Sequence, residues 1–176
     1  MKFTVIDEIA FPLEQVYKAH RDKLPDMVDF MPNVAKIEVD SREEDDEIVR
    51  LVNIWHAAET EVPALARPFI TPDLLRWTDR ATWDEDEHTT EWAIELGFLP
   101  GAITCRGHNV FEEFDGLTRI TMEGELIVDG SKIPGVPRML AGKLSSIIEK
   151  FVVNLIEPNM RETNKIVARY LSGEKA

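Results

Sequence analysis

The chain has 176 residues, 44% of them hydrophobic and 30% charged, with a formal net charge of -13; that size suits a single domain, residues 1–176, built on one core. A surface of this sign repels nucleic acid and anionic bilayers unless a basic patch intervenes, and no Lys/Arg run supplies one. No stretch reaches the roughly 20 apolar residues of a membrane span, and the N-terminus turns polar at Asp7 and Glu8, unlike a signal peptide, so the expected compartment is the cytoplasm and stable membrane insertion is not expected.

Lys2 to Ile9 alternates as a strand, with Phe3, Val5 and Ile9 on one side and Asp7 interrupting their row. Pro12 stands where a helix can begin, and Val16, Tyr17 and Leu24 recur at helical spacing until Pro25 breaks the pattern. Val34–Asp40 and Ile48–Ala57 read as a hairpin whose turn is the acidic run Glu43 to Glu47. Pro63, Pro68 and Pro72 exclude a regular strand from Glu59 to Asp73, leaving a loop that carries Leu65, Phe69 and Ile70.

Leu74 to Trp83 is the next strand, with Trp77, Ala81 and Trp83 sharing a face with Asp79; a second acidic turn, Asp84 to Glu87, leads into a strand lined by Thr90, Trp92, Ile94 and Leu96. Ile103–Phe114 and the strand after Asp115-Gly116 form another hairpin, and Ile120, Met122, Gly124, Leu126 and Val128 give the cleanest period-two pattern of the chain. After a Pro/Gly-rich link, Leu140, Leu144, Ile147, Ile148, Phe151, Leu155 and Ile156 form a broad helical stripe. Pro158 removes the hydrogen bond to the Asn154 carbonyl and is expected to kink or break the helix.

The strands after the first helix run as a meander, so their turns alternate between two ends. The acidic turns fall at one end. Val62–Ile70, Phe98-Leu99 and Ile133–Val136 fall at the other, which suggests a ligand mouth or an interface, with Leu65 and Phe69 as a gate.

No metal or cofactor is expected. The four histidines, His20, His56, His88 and His108, make no H-x-x-x-H pair, and neither acidic turn has calcium-loop spacing. Cys105 is the sole cysteine and reads as a small strand residue. Arg106 and His108 share one strand face and are candidates to orient a polar ligand head if that face is the inner one. Asp7 and Asp79 lie on apolar faces, so either is a candidate cavity acid, with Arg50 or Arg76 as a partner. No nucleophile elbow or phosphate loop is present.

The order of strand, helix, antiparallel strands and long C-terminal helix resembles the START-like helix-grip superfamily: pollen-allergen-type proteins, polyketide cyclases and aromatases, and lipid-transfer START domains. Trp55, the loop from Val62 to Ile70, the strand end Thr82-Trp83-Asp84 and the helix start Met139-Leu140 also resemble PRELI-type lipid-transfer domains. Those domains hold anionic lipid with basic groups, whereas this chain is acidic. The resemblance implies an α+β fold whose curved antiparallel sheet wraps the last helix around a cavity.

The residues expected to line that cavity are Trp55, Leu65, Phe69, Trp77, Trp83, Trp92, Arg106, His108, Met122, Leu144, Ile148 and Phe151. The expected function is binding, or transport, of an apolar small molecule or lipid. The alternatives are a cyclase- or aromatase-like enzyme using the same cavity, and a protein-interaction module with a filled core.

Overall fold

A computed structural model describes residues 1–58, 76–96, 101–133 and 137–174, without the side chains of Phe151, Val152 and Leu155. In chain order the elements are β1 (Lys2–Ile9), α1 (Leu13–Asp22), a 3₁₀ segment (Leu24–Phe30), β2 (Val34–Asp45), β3 (Ile48–Ala57), β4 (Arg76–Asp84), β5 (Thr89–Leu96), β6 (Ile103–Phe114), β7 (Leu117–Val128), a 3₁₀ turn (Gly130–Lys132) and α2 (Arg138–Leu171). The seven strands form one sheet in the order β1-β7-β6-β5-β4-β3-β2, with every neighbouring pair antiparallel. This α+β arrangement, a curved sheet carrying a long C-terminal helix, is the helix-grip fold.

Alternation sets the inner face. Phe3, Val5 and Ile9 of β1, Ile120, Met122, Leu126 and Val128 of β7, and Val49 and Leu51 of β3 are buried in one cluster with Val16 and Tyr17 of α1 and Val153, Ile166 and Val167 of α2. Two glycines shape this face. Gly107 and Gly124 oppose each other across β6 and β7. A Cβ on Gly124 would strike the Phe3 ring, and one on Gly107 would strike the Trp92 ring and the β7 backbone. The bare backbone leaves room for those two rings, whose centroids lie 6.5 Å apart.

Two expectations about local structure are corrected. The acidic run from Glu43 is not all turn: β2 continues to Asp45, paired with Ile48, and Asp46 takes the turn with φ 50. β2 is an edge strand with most side chains in solvent, so its charges stay hydrated while the ladder continues, and they guard the edge against further pairing. Pro158 lies inside α2 without ending it. One missing hydrogen bond does not break a helix whose C-terminal half is held by buried Asn164, Ile166 and Val167.

The stripe on α2 is wider than the strip the sheet covers: Met139 is 97% exposed and Ile147 55%. Leu144 and Ile148 are half-buried. The first half of α2 is tied to the end of β7 by hydrogen bonds, from the Val128 N–H to Glu149 (3.1 Å) and from the Gly130 N–H to the Ser145 hydroxyl (2.9 Å). No described helix is long and apolar enough to cross a membrane.

Candidate functional site

Between the inner sheet face, the 3₁₀ segment and the C-terminal half of α2 lies a cavity of about 450 Å³, within the range of small-molecule sites. Its walls are predominantly apolar. The sheet contributes Trp55 and Trp77, Trp83 and Trp92, Ile94 and Leu96, Ile103, Cys105, Met122 and Leu126. Leu24 and Met31 close one side, and Ile156, Met160 and Ile166 of α2 close another. The chain has four tryptophans, and all four reach this wall. The register explains it: Trp55 pairs with Trp77 across β3 and β4, and both the Trp77–Trp83 and the Trp92–Leu96 intervals are even, so each strand turns its indoles inward.

Among the described residues, Asp79 is the one carboxyl on the sheet part of the wall. It sits opposite Asn53 on β3 and Ile94 on β5, with Trp77 and Ala81 before and after it on its own face. It is part-buried and lines the cavity. Loss of water pushes its pKa up to about 6, and the Trp55 indole draws it only partly back. That indole N–H forms no hydrogen bond of ordinary geometry, and neither does the Asn53 carboxamide oxygen. The partners anticipated for Asp79 are not there: Arg50 and Arg76 lie one residue out of phase with the inner rows and are exposed.

His20 of α1 also reaches the cavity and is buried. One ring nitrogen lies 2.9 Å from the Val16 carbonyl and the other 3.0 Å from Asn164 Oδ1. Burial holds its pKa below the ordinary histidine value, outweighing both contacts. Asn164 in turn donates to Asp7 at 2.9 Å, and Arg161 donates to the other Asp7 oxygen at 2.7 Å. Asp7 is thus a paired structural carboxylate that links β1 to α2. Cys105 is buried and its thiol is pushed up to about 11 by desolvation, which leaves it protonated at neutral pH.

Of the residues expected here, Trp55, Trp77, Trp83, Trp92 and Met122 line the cavity. Arg106 and His108 do not. They occupy the even positions of β6, whose odd positions face in, and their side chains are 65% and 51% exposed. They border a depression of about 610 Å³ on the outer sheet face, where Arg106 pairs with Glu125 at 3.5 Å and His108 lies 3.6 Å from Glu123. Carboxylates oppose its cations, and solvent bathes them, so this face lacks the apolar enclosure of a small-molecule site.

Leu144 and Ile148 lie on α2 outside the cavity wall, because the helix meets the cavity only from Ile156 onward among the described residues. Leu65, Phe69 and the Phe151 side chain lie outside the described residues, as do the expected gate Val62–Ile70, Phe98-Leu99 and Pro134–Val136. The contributions of His20, Asn109 and Asn164 were not anticipated. His20 had a signal, since it follows Val16 by four residues and therefore shares its buried helix face.

The acidic end is more than a solvated rim. Arg21, buried on α1, pairs with Asp22 (2.8 Å) and with Glu85 of the β4–β5 turn, and Asp22 pairs with Arg42 of β2 at 2.7 Å. Among the described residues no group of three or more metal-ligating side chains occurs.

Solved structures with this fold span the whole chain. TTHA0849 from Thermus thermophilus is 18% identical with a TM-score of 0.65, covering 99% of this chain and 100% of that one. The Zhui aromatase/cyclase from Streptomyces sp. R1128 is 15% identical with a TM-score of 0.67, covering 99% of each chain. Ara h 8.0201 is 14% identical with a TM-score of 0.67, again covering 99% of each. At these identities the likeness establishes the fold. No curated protein matches the chain. One family model covers residues 4–171, and the chain belongs to that family, described as "Protein of unknown function (DUF2505)".

Proposed function

We propose that the chain binds an apolar, ring-bearing small molecule in the cavity between the sheet and α2. One observation carries this reading: all four tryptophans converge on a largely apolar space of about 450 Å³. Indoles are the side chains best suited to flat apolar groups, because they offer a large rigid face at low conformational cost. The same fold in the Zhui aromatase/cyclase, whose name denotes chemistry on rings, supports a site for ring-bearing compounds. A filled-core interaction module fits poorly with a space of this size.

A second reading, a cyclase-like enzyme, is favoured by one feature. Asp79, with a pKa near 6, can give up or accept a proton close to neutral pH inside an apolar site. Titration of the delipidated protein with polycyclic aromatic and aliphatic compounds, followed by tryptophan fluorescence, tests the binding reading. A saturable change with at least one ring compound is expected. Flat fluorescence across the panel contradicts it. Mass analysis of the recovered compound separates the readings, since a binder returns it unchanged.

A further inference from the structure

The polar groups of the cavity point to a narrower ligand class, and this inference rests on the binding reading above. We propose that the bound molecule carries a protonated amine, received by Asp79 beside the indoles of Trp55 and Trp77.

The described residues of the wall include two carboxylates, Asp79 and Glu162, and neither a lysine nor an arginine. For His20, burial favours the neutral form. Glu162 is exposed and lies 3.3 Å from Lys165, so solvent and that ammonium both offset it. Asp79 has no cationic partner among the described residues. Its neighbours on the sheet are Asn53, Ile94 and the indole-bearing positions around them.

A carboxylate held this way in apolar surroundings is costly to ionise and gains most from a cation that enters with the ligand. Alkyl amines keep a proton up to about pH 10, as lysine does, so a ligand amine arrives charged at neutral pH.

The aromatic groups act in the same direction. Trp55 and Trp77 stack with centroids 5.6 Å apart and planes 19° apart, two residues before Asp79 on the same face. Tryptophan presents the most electron-rich face of the aromatic side chains, and an ammonium over it is attracted by the ring quadrupole. Directly across from Asp79, the Asn53 carboxamide oxygen is a buried acceptor without a hydrogen-bond partner. Conversely, a fatty acid or phosphate-bearing lipid would bring negative charge beside Asp79 with no basic group on the described wall to offset it. The net charge of -13 also draws cations toward the molecule and repels anions.

The test uses the whole chain and three compounds that share one ring system: naphthylethylamine, naphthylethanol and naphthylacetate, measured by titration calorimetry at neutral pH. The amine is expected to bind at least about tenfold tighter than the alcohol, and the acetate weakest, as ion-pair and cation–π contributions of this kind imply. In Asp79→Asn, or the smaller Asp79→Ser, the advantage of the amine should fall to within about twofold while the alcohol is retained.

Equal binding of amine and alcohol by the native chain overturns the proposal and leaves the binding reading standing. So does an amine preference that survives in both Asp79 variants. Loss of the preference in Glu162→Gln with its retention in Asp79→Asn assigns the amine to the helix side and also overturns it. No binding by any of the three compounds overturns the proposal, and the wider panel above then decides the binding reading.

Discussion

Trp55 and Trp77, direct partners in the β3–β4 register, stack with their ring planes 19° apart at the cavity wall. Both are half-buried, so their value lies more in the face they offer a ligand than in the core. Trp77→Ala should therefore cost about 1–2 kcal/mol of stability, less than the 3–5 kcal/mol of losing a fully buried aromatic side chain. Its affinity for naphthylethanol should fall about five- to tenfold, in line with one aromatic contact. Urea unfolding and calorimetry on the same preparation check both numbers.

Tyr17 is the keystone between α1 and the acidic end of the sheet. It is buried, donates its hydroxyl to the Asp84 carbonyl at 2.7 Å, and meets Trp83 and Phe111 edge-on with centroids 5.2 and 5.3 Å away. Tyr17→Phe should cost about 1–2 kcal/mol for the lost hydrogen bond and the stranded carbonyl. Tyr17→Ala should cost about 3–5 kcal/mol. Denaturant midpoints that place the two variants within error of each other would show that the ring packing contributes nothing.

The pH dependence of stability carries the mark of Asp79. Its folded pKa, about 6, lies above its ordinary value of 3.8, so the folded chain holds that proton more tightly than the unfolded chain. The resulting stabilisation is complete below about pH 4 and is lost as pH rises through about 6. Asp79→Asn removes this dependence. Relative to the native chain the variant should gain stability on going from about pH 4 to about pH 8, by about 3 kcal/mol at most. Parallel unfolding curves at the two pH values measure the change, and a pH-independent difference between the chains would refute it.

The paired glycines under Phe3 and Trp92 give a graded expectation. In Gly124→Ala the three atoms nearest the new Cβ all belong to the Phe3 ring, which can shift. In Gly107→Ala it meets the Glu123 carbonyl and the Gly124 backbone as well as Trp92. Overpacking of this kind costs typically about 1–3 kcal/mol, and Gly107→Ala should lie at the upper end or beyond. Thermal unfolding ranks the two, and the reverse order would contradict the geometry.

Much of this was legible from residue patterns. Period two on Ile120 to Val128 and on Trp77 to Trp83 identified the inner face, and so the tryptophans, and marked Asp79 as no more than one of two candidate acids, because a strand shows both of its faces in sequence. Element order was enough to identify the grip. The polarity of β6 was harder to read. Gly107 leaves its inner row with a gap where a large apolar residue would have marked the side, so the pattern did not tell whether Arg106 and His108 faced in or out. Helix partners were the least visible: Asn164 meets His20 across 144 positions of chain, and no local periodicity encodes such a contact. The extent of α2 also escaped local rules, since a proline is tolerated where tertiary packing compensates for one lost bond.

A ligand held against the inner sheet face must perturb the indole N–H resonances in a ¹⁵N correlation spectrum recorded during addition of naphthylethylamine. There is one signal for each of Trp55, Trp77, Trp83 and Trp92, and all four residues border the cavity. Saturable shifts of these four signals are expected, with the amides of Arg106 and His108 on the outer face moving far less. Unmoved indoles, or shifts centred on Arg106 and His108, would contradict binding at the inner face.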